Sequence, residues 1–88
     1  MQHVINDKNE NFQAFRWMEE KVPKWWTDMS GNYLLDVSSG TVNTDFGKVN
    51  RGDYILKNET TGKVHSENAV QFDVNYKNVN TYKNSIDS

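Results

Sequence analysis

MEEKVPKWWTDMSG, Met18 to Gly31, decides how the chain folds, because it is the one stretch with a helical repeat. Met18, Val22, Trp25, Trp26 and Met29 fall at i, i+4, i+7, i+8 and i+11, one apolar stripe of an α-helix. Gly31 stands where a left-handed C-cap belongs. Pro23, the only proline, interrupts the stripe, which predicts either a kink or a helix that starts near Pro23. Adjacent residues on a helix lie about 100° apart, so only one tryptophan can hold the centre of the stripe. Met18, Val22, Trp26 and Met29 form the tightest line, which assigns Trp26 to the core. Trp25 then sits at the stripe's edge beside Lys21 and Lys24, as core, dimer seam or partner contact.

Working outward, the periodicity changes to that of strands. Before the helix, Phe12, Ala14 and Arg16 alternate with Gln13, Phe15 and Trp17, a strand buried on one side and partly covered on the other. After Gly31, NYLLDVSS places Tyr33, Leu35 and Val37 on one face, and TVNTDF groups Val42, Thr44 and Phe46 beyond a Ser39-Gly40 turn. Gly47 or Asn50-Arg51-Gly52 supplies the next turn, followed by the strand DYILKN and a Glu59–Gly62 hairpin into KVHS. In VQFDVNY, Val70, Phe72, Val74 and Tyr76 alternate with polar residues and predict a final strand. The polar segment Met1 to Asn11 reads as a loose arm, with Val4 and Ile5 as its one anchor, and residues 80–88 read as a fraying tail. The expected fold is a small α+β domain: an antiparallel sheet of three to five strands packed against one helix from the N-terminal half. A flexible arm over 1–11, a single domain over 12–79 and a flexible tail over 80–88 complete the expectation.

Composition narrows the functions. Eighty-eight residues with no cysteine exclude disulfides, thiolate zinc sites and a thiol nucleophile, and agree with a reducing compartment. A chain this short is marginally stable alone, so a homodimer is the expected reinforcement. Ten basic residues against 12 acidic ones, interspersed, disfavour a nucleic-acid groove. The apolar runs are too short to span a bilayer and no charged-then-apolar leader opens the chain, so the protein is expected to stay where it is made. His3 and His65 lie far apart, without metal-ligand spacing. No metal or cofactor is expected.

Candidate reactive groups have ordinary readings. Gly52 permits a positive φ at a turn, and the Asp53 carboxylate can accept backbone N–H bonds ahead of Tyr54. Arg51-Gly52-Asp53 matches an integrin-binding tripeptide and Asn58-Glu59-Thr60 a glycosylation sequon, but both need an extracellular or secretory setting. No serine has a nucleophile-elbow pattern, and Glu19-Glu20 point to different helix faces. His65, Ser66 and Glu67 form an acid–base cluster only on paper, because a strand turns His65 and Ser66 to opposite faces.

The segments QAFRW, PKWW and FGKVNRGDYILKNETTGKVHSENAVQFDVNY resemble a family of small uncharacterised bacteriophage and prophage proteins. In that family a strand ends in Trp or Tyr, a helical segment holds Pro-x-Trp-aromatic, and a Gly-Asp-(Trp/Tyr)-Ile/Val strand precedes a glycine hairpin and Phe-x-x-x-Tyr. Trp17, Pro23, Trp25, Trp26, Gly52, Asp53, Tyr54, Ile55, Gly62, Phe72 and Tyr76 occupy those places, over Phe12 to Lys77. The chain departs from the pattern at Arg51, where the family has proline, and at His65-Ser66-Glu67, where it has a Tyr-Pro-Cys-like turn. The resemblance implies a turn or short helix over Ser66 to Gln71 and a phage accessory protein in a bacterial host cytoplasm. It implies no reaction.

Together these readings predict a non-enzymatic module that binds and inhibits a host protein, in counter-defence, with Trp17, Lys24, Trp25, Arg51, Tyr54 and His65 as contact residues. Gly52, Asp53 and Trp26 are assigned structural roles. The alternative is a small-molecule sponge for a nucleotide-type signal. Trp17, Trp25 or Tyr54 would stack on the base, and Arg16, Lys24 or Arg51 would neutralise phosphate.

Overall fold

Phe12 and Ala14 on one side of a strand, and Phe15 on the other, are all buried, so cover is needed on both faces of the sheet that holds them. The computed structural model describes residues 1–79. The tail expected over 80–88 lies outside the described residues. In chain order the elements are β1 (Gln2–Asn6), β2 (Asn11–Arg16), α1 (Lys24–Met29), β3 (Leu34–Asp36), β4 (Thr41–Thr44), β5 (Gly47–Val49), β6 (Tyr54–Asn58), β7 (Val64–Glu67), α2 (Ala69–Asn75) and β8 (Tyr76–Asn78). The strands divide between a five-stranded sheet, order β7-β6-β2-β1-β8, and a three-stranded sheet, order β3-β4-β5. Every pairing is antiparallel. The chain is an α+β domain with one helix in its N-terminal half.

Register defines the two faces of the large sheet. Phe12, Ala14 and Arg16 stand opposite Asn58, Leu56 and Tyr54, with Val4 opposite Phe12 from β1 and His65 opposite Leu56 from β7. On this face Val4, Phe12, Ala14, Leu56 and Phe72 form a core, with Tyr54 and Tyr76 packed against it. α2 connects β7 at one edge to β8 at the other, and Phe72 is its buried residue. The opposite face carries Phe15 and Ile55, joined by Trp17, Trp26, Val42 and Val49. Its cover is the insertion 17–53, comprising α1 and the small sheet. The ends of that insertion are tied by Trp17 N–H to the Asp53 carbonyl (2.8 Å) and Gly52 N–H to the Trp17 carbonyl (3.0 Å).

Several expectations are corrected. The arm over 1–11 is not loose: Gln2–Asn6 is a full member of the sheet, with Val4 buried between β2 and β8. The asparagines make a turn rather than a tail, since Asn6 Oδ1 accepts the N–H groups of Lys8 (3.1 Å) and Glu10 (2.9 Å), and Asn9 takes a left-handed φ of 61°. The stripe from Met18 to Met29 is not one helix face. Pro23 is extended, α1 starts at Lys24, and Met18 has a left-handed φ of 67°. Trp26 is 4% exposed, whereas Met18, Val22 and Met29 are 37%, 38% and 36% exposed. The helix ends at Ser30 with φ −94°, so Gly31 is not its left-handed cap.

VQFDVNY is a helix, not a strand. The Asn68 side chain accepts the Gln71 N–H at 2.9 Å, and this N-cap outranks the alternation, because Val70 and Val74 are both exposed. β3 stops at Asp36, and Val37 belongs to the following turn. A further strand, β5, follows the Asp45-Phe46 turn.

Candidate functional site

The residues expected to touch a partner fall into two groups, on opposite faces of the large sheet. Trp17 is buried in the core under α1. Its indole N–H donates to the Gly40 carbonyl at 2.7 Å, and its ring lies tilted 5.3 Å from Trp26. Both its polar and apolar surfaces are therefore consumed internally, so Trp17 is not a contact residue. Arg51 is exposed and its stem lies against Gly40, where an added Cβ would meet Arg51 Cβ at 3.2 Å. Gly52 has φ +90°, and its carbonyl accepts Arg16 Nε at 2.9 Å. Asp53 Oδ2 accepts the Asn50 N–H at 2.9 Å across the same turn.

Trp25 differs from its neighbours. It is half-buried, edge-on to Phe15 at 5.5 Å, with Lys57 Nζ 5.7 Å from its ring centroid. Its Nε1 is buried and has no hydrogen-bond partner among the described residues. Lys24 is exposed on the same short helix and pairs with Asp28 at 3.0 Å.

Tyr54 and His65 belong to the other face, in an aromatic and polar cluster that closes the sheet upon itself. Tyr54 stacks on Phe72 with centroids 3.7 Å apart and planes at 4°, and the Arg16 guanidinium stands 5.4 Å from its ring centre. Phe12 meets His65 and Tyr76 edge-on at 5.7 and 5.3 Å. The Tyr76 hydroxyl lies 3.0 Å from His65 Nε2 and donates to Glu67 Oε2 at 2.9 Å. Edge strands β7 and β8 are thereby clasped by side chains where no backbone ladder joins them. A shallow cleft of about 500 Å³ opens beside the clasp, lined among others by Glu10, Asn58, Lys63, His65 and Tyr76.

The chemistry of the clasp follows from its charges. Burial pushes the Tyr76 hydroxyl well above the ordinary tyrosine range. The hydrogen bond to Glu67 and the negative charges of Glu67, Glu10 and Asp7 push it further. The hydroxyl is held protonated, as a donor, and is neither a nucleophile nor a base at neutral pH. Ser66 faces away from His65, since it pairs with Ile55 on the other face of the sheet. Among the described residues no three His, Asp or Glu side chains converge as metal ligands do. Among them, too, no helix is long and apolar enough to cross a membrane.

Sequence reasoning missed Glu67 and Tyr76 as one unit with His65. The period-two spacing of His65 and Glu67 was visible, but Tyr76 arrives from the far edge of the sheet, which no local pattern encodes. Comparison with family models, with curated proteins and with solved structures gives no match for this chain.

Proposed function

We propose that the protein is a non-enzymatic phage accessory module that binds and inhibits a host protein in the bacterial cytoplasm, as a counter-defence factor working as a homodimer. One observation supports this reading: Trp25, half-buried on α1, keeps an indole N–H that no acceptor among the described residues satisfies. A buried donor without a partner costs about 1–3 kcal/mol, which an acceptor on a docking surface would return after a small turn of the ring. Met29 lies one helical turn from Trp25, on the same side of α1. Trp25 and the exposed Met29 serve as the contact ridge, with Lys24 on the same helix and Lys57 Nζ 5.7 Å from the Trp25 ring centroid. Tryptophan concentrates at binding hot spots, and methionine adapts to varied partners. The source and setting rest on the motif resemblance.

The test is affinity capture from host lysate with the wild-type protein and with a Trp25→Ala, Met29→Ser variant. A host protein retained by the wild type and lost by the folded variant is the expected result. Equal retention by both removes the ridge. A thermal shift of several degrees with a nucleotide panel, and no captured protein, would favour the small-molecule sponge instead.

A further inference from the structure

Among the described residues four strands end a sheet, and three of them are guarded. β5 opens with Gly47 at φ +116° and carries Lys48. β7 is held by the Tyr76 hydroxyl, and β8 carries Lys77. β3 has no such device. Among the described residues it pairs with β4 alone; it contains no proline, lysine or glycine, and exposes Leu34 at 72% and Leu35 at 49%, with Val37 following at 79%. Its one charge is already engaged. Asp36 Oδ1 accepts the Ser38 N–H (3.1 Å), the Ser38 hydroxyl (2.7 Å) and the Ser39 N–H (3.4 Å), bonds that draw its carboxyl below the usual carboxylate range. An unguarded apolar edge is a template for another strand.

We infer that the strand that covers β3 is β3 of a second copy, paired antiparallel about a two-fold axis through Leu35. This rests on the dimeric reading above and supplies its interface. On the core-facing side of the small sheet, Val49, Val42 and Leu35 form a row across β5, β4 and β3. Val49 and Val42 are buried, and Leu35 is the row's open end. The two-fold sets Leu35 against its own copy and runs the row unbroken across both sheets. It sets Leu34 against Asp36 of the second copy, so no like charges meet. Moving the axis one residue to Asp36 would oppose two carboxylates, which is destabilising. A foreign strand would have to bring a matching apolar residue into this register, whereas an isologous contact supplies Leu35 by symmetry.

The chain has no cysteine, so a single introduced thiol reports the register without background. Residues facing each other across an antiparallel pair have Cα atoms about 4.5–5.5 Å apart, within the span a disulfide accepts. Leu35→Cys should give a covalent dimer under mild oxidation that dithiothreitol reverses, while Val70→Cys on α2 should stay monomeric on the same gel. By light scattering the wild type should have twice the chain mass, and Leu35→Lys should fall to the monomer with an unchanged circular dichroism spectrum. A wild type that is monomeric at every concentration overturns both the interface and the dimeric reading. A dimeric wild type whose Leu35→Cys variant cross-links no faster than Val70→Cys overturns the β3 interface and leaves the dimer standing.

Discussion

The two faces of the large sheet both bury aromatic rings, yet they are built differently. Under α1 the rings of Phe15, Trp17 and Trp26 meet tilted or edge-on, and the Trp17 N–H is satisfied by the backbone of Gly40. The cover is the insertion 17–53, whose ends are bonded together at Trp17, Gly52 and Asp53. Under α2 the rings of Tyr54, Phe72 and Tyr76 stack nearly parallel, and polar side chains of His65, Glu67 and Tyr76 complete the closure. There the cover is seven residues held by one buried side chain, Phe72. The first face is therefore an apolar core that the rest of the fold depends on, and the second is a cover fastened at a few points. A local failure is possible only on the second.

Truncating the central ring of each face tests that difference most strongly. Trp26→Ala should cost about 3–5 kcal/mol, a large part of the roughly 5–10 kcal/mol available to a domain of this size. Urea unfolding should show most of the native signal lost near room temperature. Phe72→Ala should cost about 3 kcal/mol but release α2 and β8 locally. Amide exchange should then speed up in residues 69–78 while β2 and β6 stay protected and the tryptophan fluorescence stays native. Global unfolding of both variants alike would erase the distinction between the faces.

The clasp sharpens the comparison further. Tyr76→Phe keeps the ring stack but leaves His65 and Glu67 without their shared partner, at a cost of about 1–2 kcal/mol. The pH dependence follows from the raised Tyr76 hydroxyl. Below the ordinary tyrosine value of 10.0 both folded and unfolded chains hold the proton, and the contribution is complete. Above it the unfolded chain releases the proton while the folded chain keeps it, so stability falls as pH rises. The melting temperature of the wild type should drop more steeply than that of Tyr76→Phe above about pH 10. Tyr33, also raised by burial and then by Asp45, contributes equally to both proteins and cancels. Parallel curves would mean that the hydroxyl is not engaged.

What the sequence discloses divides along the same line. Alternation at Phe12, Ala14, Phe15 and Trp17 already points to a strand buried on one side and partly covered on the other, and the pair Trp25-Trp26 already distinguishes an inward from a peripheral ring. These signals lie within a few residues of one another. The second face is less legible because its determinants compete or lie far apart. Residues 69–75 alternate like a strand, and only the Asn68 cap opposes that pattern. Asn6 to Glu10 looks like a polar arm until the Asn6 side chain is seen bonding to the N–H groups of Lys8 and Glu10. The clasp joins residues from opposite ends of the sheet order, so β7 and β8 had to be placed before His65, Glu67 and Tyr76 could be read as one site.

The smallest expected effect concerns the ring that belongs wholly to neither category. Trp25 packs on Phe15 like a core residue, yet its N–H finds no acceptor among the described residues and Lys57 lies over its ring. Trp25→Phe keeps much of the packing and deletes only a donor with no partner among the described residues, so the unfolding free energy from urea titration should hold within about 0.5 kcal/mol or rise slightly. Trp17→Phe is the control. It abolishes the 2.7 Å bond to Gly40, strands a buried carbonyl, and should cost about 2 kcal/mol. If Trp25→Phe proves as damaging as Trp17→Phe, its indole is already satisfied within the fold and has no spare donor to offer a partner. If it is neutral for folding but weakens capture of the host protein, the unspent N–H is a property kept for the surface rather than for the core.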